Sequence, residues 1–577
     1  MRTLFFAPHA GIWVHAFPEA LIADALRSSG DDLVYITCAG TLSSFCITMA
    51  SHGLTPDSTS AVRESVCRSC RRERSRLRRG FALPGYDMAE VLVPDDEAQI
   101  ARILEGLDAR NVADFELGGV AAGRATLYEY LIQRKKTRLE VDSDQWPEVK
   151  LRLANTLRSL TAATRIFDRE RPDRVFTYNS LYSVNAMWRA VADQRGIPNY
   201  FLHAGSNLAH RLQTMIVARD SPLAWSRRLI AAWPRHRDQP STPAELGAVG
   251  DHFEQLFAGT SVFAYSAAKA TARPAIRAQF GVRPDQKLVV ATMSSCDEYI
   301  AAAAIGEMPA MDTQLFPTQI EWLQALIPWL ATRPDLALVI RVHPREFPNK
   351  REATKSEHAL QLESLFIDLP PNVQINWPAD KLSIYDLAEH ADVVLNAWSS
   401  AGKEMALLGI PVVTYCPEML LYPADLNFVG ATTEDYFAVI ERALAAGWSF
   451  ERCKQAFRWW VLELVRSVAD ISDGYAFEER APTDLLGRIG RLPFVREHLD
   501  LVRRPRHLDA ESQLADVVHR GAQTLVPEPV AASADTTFVE TAAIRAQLVR
   551  IARLLYATDT SEIEPGTLRA RLAAALD

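Results

Sequence analysis

The sequence predicts an α/β protein built of two doubly wound, Rossmann-like domains facing a cleft, with a helical appendage at the C-terminus. Three observations lead there. Short apolar runs alternate with helical patterns, the mark of parallel sheets covered on both faces. The alternation occurs twice, on either side of a stretch dense in Pro and charge at residues 221–252. At 577 residues, the chain is also too long for a single hydrophobic core.

In the first series, residues 3–7 read as a strand, 17–28 as an amphipathic helix ending near Gly30, and 33–38 as the next strand. Helices follow at 97–107 and 149–169, then a buried strand at 174–178 (RVFTY). A helix at 182–195, closed by Gly196, and a strand at 198–202 complete the series. The second series has a strand at 287–292, a helix near 319–330, strands at 336–342 and 373–375, and an element at 384–389. A strand at 393–395, a helix after Ser400 and a strand at 411–415 follow. Residues 450–468 form a Trp-rich helix expected to cross back to the first half, and the Trp pair of RWWVL reads as helix core ahead of a sugar-stacking platform. From about residue 481 the rhythm stops, and residues 503–577 carry helical patterns separated by VPEPVAASADTT. The expected division is 1–245, 246–450, a crossover region 451–485 and a helical extension 486–577.

The composition is globular, with 48% hydrophobic and 23% charged residues. A net charge of −8 gives no general reason to bind nucleic acid or anionic membrane. No apolar run reaches the ~18–20 residues of a membrane helix. The start, MRTLFFAPHAGIWVHAF, reads as a strand and loop and not as a signal peptide, so a cytoplasmic location is expected.

Two strand ends carry the chemistry. In residues 393–415 (VVLNAWSSAGKEMALLGIPVVTY), Ser399, Ser400 and Gly402 lie where a strand gives way to a helix. Free backbone N–H groups and two hydroxyls then aim at one point, which suits a phosphate. In LVIRVHPRE, the apolar strand runs through Arg341 to His343, and Pro344 forces the chain out of the sheet. Together these ends read as one site for a nucleoside mono- or diphosphate. The acceptor side of such a cleft belongs to the first half, where His9, His15 and Glu19 follow the first strand and Asn179 and His203 end later ones. An imidazole with a near-neutral pKa suits a general base, and His15 and Glu19 are the candidates taken forward.

Seven cysteines in a chain of this size do not form a disulfide framework. Four crowd the N-terminal region: Cys38, Cys46, Cys67 and Cys70, the last two as C-x-x-C. The spacing permits a Cys₄ structural zinc site or an iron–sulfur cluster, against the alternative of a strand-end thiol, a core thiol and an incidental pair. Cys296, Cys416 and Cys453 read as buried thiols. Residues 63–79 hold eight arginines and two glutamates. This run reads as a solvated helix face, or else as a grip on an anionic acceptor or on the inner membrane surface. Nucleic acid fits poorly, because aromatic platforms and an overall basic charge are missing.

TMSSCDE, LVIRVHPRE, NVQINWPADKLSIYDLAEHADVVLN and AWSSAGKEMALLGIPVV together resemble the C-terminal half of capsular-polysaccharide and related surface-glycan glycosyltransferases of GT-B architecture. The similarity is to the group with an HP motif and a serine motif, which includes bacterial polysialyltransferases, capsular Kdo transferases and CDP-glycerol polymerases. It covers residues 287–415. The earlier FTYNSLYSVNAMWRAVADQRGIP resembles the closing strand–helix–strand of their acceptor domain.

The resemblance implies that His343 contacts the donor phosphate and assists departure of the nucleotide. By the same resemblance Ser399 and Ser400 hold that phosphate, and Glu404 accepts the ribose hydroxyls. Ser294, Ser295 and Glu298 would form a loop facing the cleft. The run SSAGKEMA departs from the pattern in placing Lys403 beside the phosphate site. Lys403 is expected either to point to solvent or to alter the nucleotide preference. The implied reaction passes a Kdo- or sialic-acid-like ulosonic acid from a CMP-activated donor to a surface glycan, glycolipid or glycoprotein. Donors of the CDP-glycerol or UDP/GDP-sugar class, and a non-catalytic nucleotide-binding assembly protein, are the alternatives. No D-x-D sits at a convincing strand end, so no cofactor is expected to be required for catalysis.

Overall fold

A computed structural model describes residues 1–261, 263–265, 267–269, 275–309, 314–349, 353–472, 474, 518–556 and 561–576. Among the described residues, twelve strands form two six-stranded sheets. The first contains β1 (Arg2–Phe6), β2 (Asp32–Ile36), β3 (Arg174–Tyr178), β4 (Asn199–Ala204) and β5 (Thr214–Arg219). The second contains β6 (Lys287–Thr292), β7 (Leu336–Arg341), β8 (Val373–Asn376), β9 (Ala391–Asn396), β10 (Val412–Thr414) and β11 (Phe428–Val429). The last strand, β12 (Ala469–Asp470), returns to the first sheet and pairs antiparallel with β5.

The second sheet is wholly parallel, in the order β11-β10-β9-β6-β7-β8. Numbered within that half, this is the doubly wound 3-2-1-4-5-6 order, with its switch point between β6 and β9. Alternate residues serve opposite faces. Leu288, Val290, Val339 and Val394 enter one apolar core, while Val289, Ala291, Ile340 and Leu395 enter the other. The first sheet runs β12-β5-β4-β3-β1-β2 and divides its side chains in the same way, Leu4 and Phe6 to one side, Phe5 and Tyr35 to the other. Its switch point lies between β1 and β3. The two sheets thus form the two-domain GT-B arrangement.

Residues 221–252, between the two series, are largely helical. Helices span Pro222–His236 and Pro243–Ala258. Ser221 and Thr242 cap them through side-chain oxygens, and Pro222 and Pro243 occupy first-turn positions where a missing N–H is harmless. Proline density here marks helix starts. The first helix of the chain, Trp13–Ser28, begins four residues before the sequence expectation and carries Pro18 within its first turns.

The Trp-rich helix Phe450–Val461 runs into a π-helical turn, Leu462–Arg466, and delivers β12 to the first sheet, so the chain does cross back. Trp459 packs edge-on against Trp233, with ring centroids 5.8 Å apart, and both halves contribute to the cluster around it. The C-terminal helix Ala534–Tyr556 buries Ile544, Leu548, Ile551 and Leu555 in the core of the second half. It is an integral layer and not a loose appendage. Residues 475–517, where the sequence rhythm stops, lie outside the described residues. No described helix is long and apolar enough to cross a membrane.

Candidate functional site

A cleft of about 280 Å³ opens at the switch point of the second sheet. Strand register builds its floor, with Thr292 of β6 opposite Arg341 of β7 on one side and Asn396 of β9 on the other. Thr292 Oγ1 donates to Asn396 Oδ1 at 2.8 Å, and Asn396 Nδ2 donates to the Ser399 carbonyl at 3.0 Å. The serine loop is therefore held from below by a buried amide that sequence reasoning passed over. Arg341 donates to Asn376 Oδ1 at 2.6 Å and to the Leu382 carbonyl at 2.9 Å, and burial lowers its guanidinium to about 10.

Arg341, His343, Pro344, Ser399, Ser400 and Glu404 all line this cleft. His343 caps the short 3₁₀ turn Pro344–Glu346, its Nδ1 accepting the Arg345 N–H at 3.2 Å. That contact leaves the hydrogen of the neutral ring on Nε2, a fixed donor for an anion. Burial lowers the His343 pKa, keeping the ring neutral around pH 7. The Tyr265 ring stands edge-on to it at 5.7 Å. The turn itself is anchored by Arg345, which is bidentate to Asp297 and also donates to the Ile132 carbonyl of the first half at 3.0 Å.

Ser399 Oγ accepts the Ala401 N–H at 3.3 Å, whereas Ser400 Oγ donates to Glu404 Oε1 at 3.0 Å and does not cap the helix Ala401–Leu407. Glu404 Oε2 accepts from the Tyr385 hydroxyl at 2.8 Å. Gly402 lies behind the wall: a Cβ there would stand 2.0 Å from the Tyr422 hydroxyl oxygen and 2.5 Å from Asn396 Nδ2. Ser294, Ser295 and Glu298 are not among the lining residues either. Ser294 Oγ accepts the Trp398 N–H at 3.0 Å, tying the β6 loop to the serine loop, and Ser295 donates to Glu298.

Lys403 does not point to solvent. It is 7% exposed, pairs with Glu463 Oε1 at 2.7 Å, and lies 4.1 Å from the Trp460 ring centroid. Lys403, Glu463 and Trp460 all line the cleft, so the crossover helix supplies part of the site. Composition and periodicity marked that helix only as core. The signal was the conjunction of an unusual lysine beside the serine motif with an acid in an aromatic helix.

The first half contributes Ser206 and Leu208 to the cleft, and the linking helix contributes His252. His9, His15 and His203 gather at the carboxyl ends of β1, β3 and β4, and neither His15 nor Glu19 is among the lining residues. His15 stacks on the Tyr178 ring at 4.2 Å, and His203 is tilted against the same ring at 5.7 Å. Burial depresses His9 and His203 to about 4. It depresses His15 to about 3, with help from the neighbouring His9, His203 and Arg211. Glu19 is 2% exposed, and burial raises its carboxyl well above the usual range.

Cys38, Cys46, Cys67 and Cys70 line a second, smaller cavity beside β1 and β2, while Cys296, Cys416 and Cys453 are buried elsewhere. Among the described residues, no group of three or more His, Cys, Asp or Glu side chains is placed to hold a metal ion. The Arg-rich run forms the helix Ser60–Gly80. Several of its arginines are engaged within the fold: Arg71 with Glu64, Arg74 with Asp87, and Arg76 over the Trp13 ring.

No protein-family model and no curated protein matches the chain. Solved structures align at low similarity. The β-Kdo 2,4-transferase KpsC of Thermosulfurimonas dismutans is 15% identical over 50% of this chain and 80% of that one, with a TM-score of 0.31. The β-Kdo 2,7-transferase structure of KpsC from the same organism is 14% identical over 48% and 79%, with a TM-score of 0.26. The UDP-GlcNAc 2-epimerase of Methanocaldococcus jannaschii is 14% identical over 79% and 98%, with a TM-score of 0.26. Likenesses of this size carry no argument about activity.

Proposed function

We propose that the protein is a nucleotide-sugar-dependent glycosyltransferase, moving a Kdo- or sialic-acid-like ulosonic acid from a CMP-activated donor to a surface glycan or glycoconjugate. The observation that carries this reading is the convergence of the His343 Nε2–H, the Ser399–Ser400 loop and the Lys403 ammonium on one cleft at a sheet switch point. The motif resemblance of residues 287–415 supports the CMP donor.

In the proposed reaction the bond between the anomeric carbon and the phosphate oxygen breaks, and its electron pair stays on the nucleotide. An acceptor hydroxyl forms the new bond and gives up its proton. Negative charge grows on the phosphate as the sugar becomes oxocarbenium-like. His343 donates through Nε2, and the hydroxyls and ammonium around it are already oriented, so little reorganisation accompanies bond breaking. Arg345, Asn396 and Ser294 hold these groups in place from behind. The acceptor proton is assigned to the first half, where His15 keeps a buried, unpartnered Nδ1. A ring held near 3 is neutral but weakly basic. An anionic donor bound opposite it would raise that value towards a working range.

The test is a transfer assay with CMP-Kdo and CMP-sialic acid against defined glycan acceptors, following CMP release and product mass. Acceptor-dependent CMP release that requires His343 supports the reading. Nucleotide binding without release from any donor would replace it with a non-catalytic assembly role, and release from CDP-glycerol or UDP/GDP-sugars alone would reassign the donor.

A further inference from the structure

We propose that Lys135, a buried lysine of the first half, is a positioning residue for His343, so that the imidazole on the donor side is set from across the seam between the halves. Lys135 ends the helix Ala122–Arg134, whose Leu127 and Leu131 lie in the core of the first half. Its side chain leaves that half. Nζ donates to the carbonyls of Arg345, Phe347 (3.4 Å) and Thr354 (2.7 Å), all in the chain that follows His343.

This contact differs from ordinary packing. Lys135 is 0% exposed, and an ammonium leaves water completely only when its donors are met. Here three carbonyls meet three N–H groups. The backbone is also unusual. Lys135 has a φ of 50°, the left-handed helix-capping conformation that glycine adopts at less cost. A lysine at that position sends a side chain across the seam where glycine would send none. The grip is reciprocal. Arg345 Nη2 donates to the Ile132 carbonyl at 3.0 Å, in the last turn of the helix, where carbonyls lack partners within it. Beside it, Lys136 Nζ and the Thr137 N–H donate to the Glu357 carboxylate at 2.8 and 3.0 Å.

The other support of the turn reaches the same seam. Arg345 is bidentate to Asp297, at the start of the helix Cys296–Ala304. Ala301 of that helix is buried in the core of the first half, with Ile300 and Ala304 packed against it. The Arg345 N–H is in turn the donor that fixes His343 Nδ1. Contacts therefore run from Lys135 to the Arg345 carbonyl, and from the Arg345 N–H to the imidazole. A shift of one half against the other moves the Nε2–H with respect to the donor phosphate, and misplacement of a reacting group by about 1 Å costs on the order of 10²-fold in rate.

The test is a double-mutant cycle on the full chain, Lys135→Met against His343→Ala, whose kinetic arm rests on the transferase reading. With His343 present, Lys135→Met should lower kcat/KM by about 10–100-fold, most of it in kcat. In the His343→Ala background the same substitution should cost less than about twofold, because the group it positions is gone. Equal losses in both backgrounds, or no loss in either, would overturn the proposal. Glu357→Ala releases Lys136 and Thr137 while leaving Lys135 in place, and serves if Lys135→Met does not fold. It should cost about 3–10-fold, again only with His343 present. Hydrogen exchange of the Arg345 and Glu346 amides, which donate to His343 Nδ1 and to its carbonyl, needs no turnover. Each variant should speed it, Lys135→Met by about tenfold, with exchange in β7 unchanged. If the wild-type chain transfers nothing, the transferase reading fails and this arm decides: unaltered exchange at the turn would overturn the positioning role by itself.

Discussion

The two halves repeat one architecture and line their strand ends with opposite chemistry. At the second sheet the groups facing the cleft are donors held in hydrogen-bonded frames, His343 by the Arg345 N–H and the serine loop by Asn396. At the first sheet the strand ends gather neutral, desolvated imidazoles, His15 and His203 against the Tyr178 ring and His9 edge-on to Tyr182, with Glu19 buried on the same helix as His15. The contrast teaches a division of labour. Stabilising a growing phosphate charge needs dipoles fixed in advance. Accepting a proton needs a neutral base whose affinity can be tuned when substrate arrives.

Removing His343 is the strongest way to break this contrast. His343→Ala should lower turnover on the order of 10²–10⁴-fold in a CMP-release assay, with little change in melting temperature. A loss under about tenfold would move charge stabilisation to Lys403 and Arg341.

Lys403→Met comes next. It strands Glu463 in a buried site and should reduce stability by about 3–5 kcal/mol in denaturant unfolding. The double variant Lys403→Met with Glu463→Leu should recover most of that stability without recovering nucleotide affinity. Recovery of both would make the pair structural only.

Gly402→Ala sharpens the geometry, since its Cβ collides with Tyr422 and Asn396. A loss of about 1–3 kcal/mol in stability, with weaker nucleotide binding, is expected. Unchanged binding would show that the serine loop tolerates displacement.

The smallest effect concerns pH. Burial, with Lys403 and Arg211 nearby, lowers His252 from the ordinary 6.5 to about 3. The unfolded chain therefore takes up this proton first, and the contribution present above 6.5 is lost as pH falls towards 3. His252→Gln should melt less steeply with acid than wild type between pH 6.5 and 4, and parallel curves would contradict the assignment.

Much of the second half was legible in the sequence. Parallel strands buried on both faces leave unbroken apolar runs such as KLVVAT and LALVIR, and their ends are marked by His-Pro and Ser-Ser. The first half was less legible. β5 is antiparallel and ends just before the helix that Ser221 caps, and TMIVAR, lying ahead of the Pro-dense stretch, was given no element. Residues acting through tertiary contact escaped as well. Nothing local to Glu463 or Asn396 says that one meets Lys403 and the other lifts the serine loop, because each partner comes from a different element. His15 and Glu19 were visible as residue types, but their protonation depends on burial that periodicity cannot report.

Calorimetric titration of CMP, CDP, UDP and GDP into the full chain, repeated on His343→Ala and Ser400→Ala, tests the central claim most directly. The account predicts selective CMP binding that both substitutions weaken. Binding of none of the four, or binding indifferent to both substitutions, would contradict it.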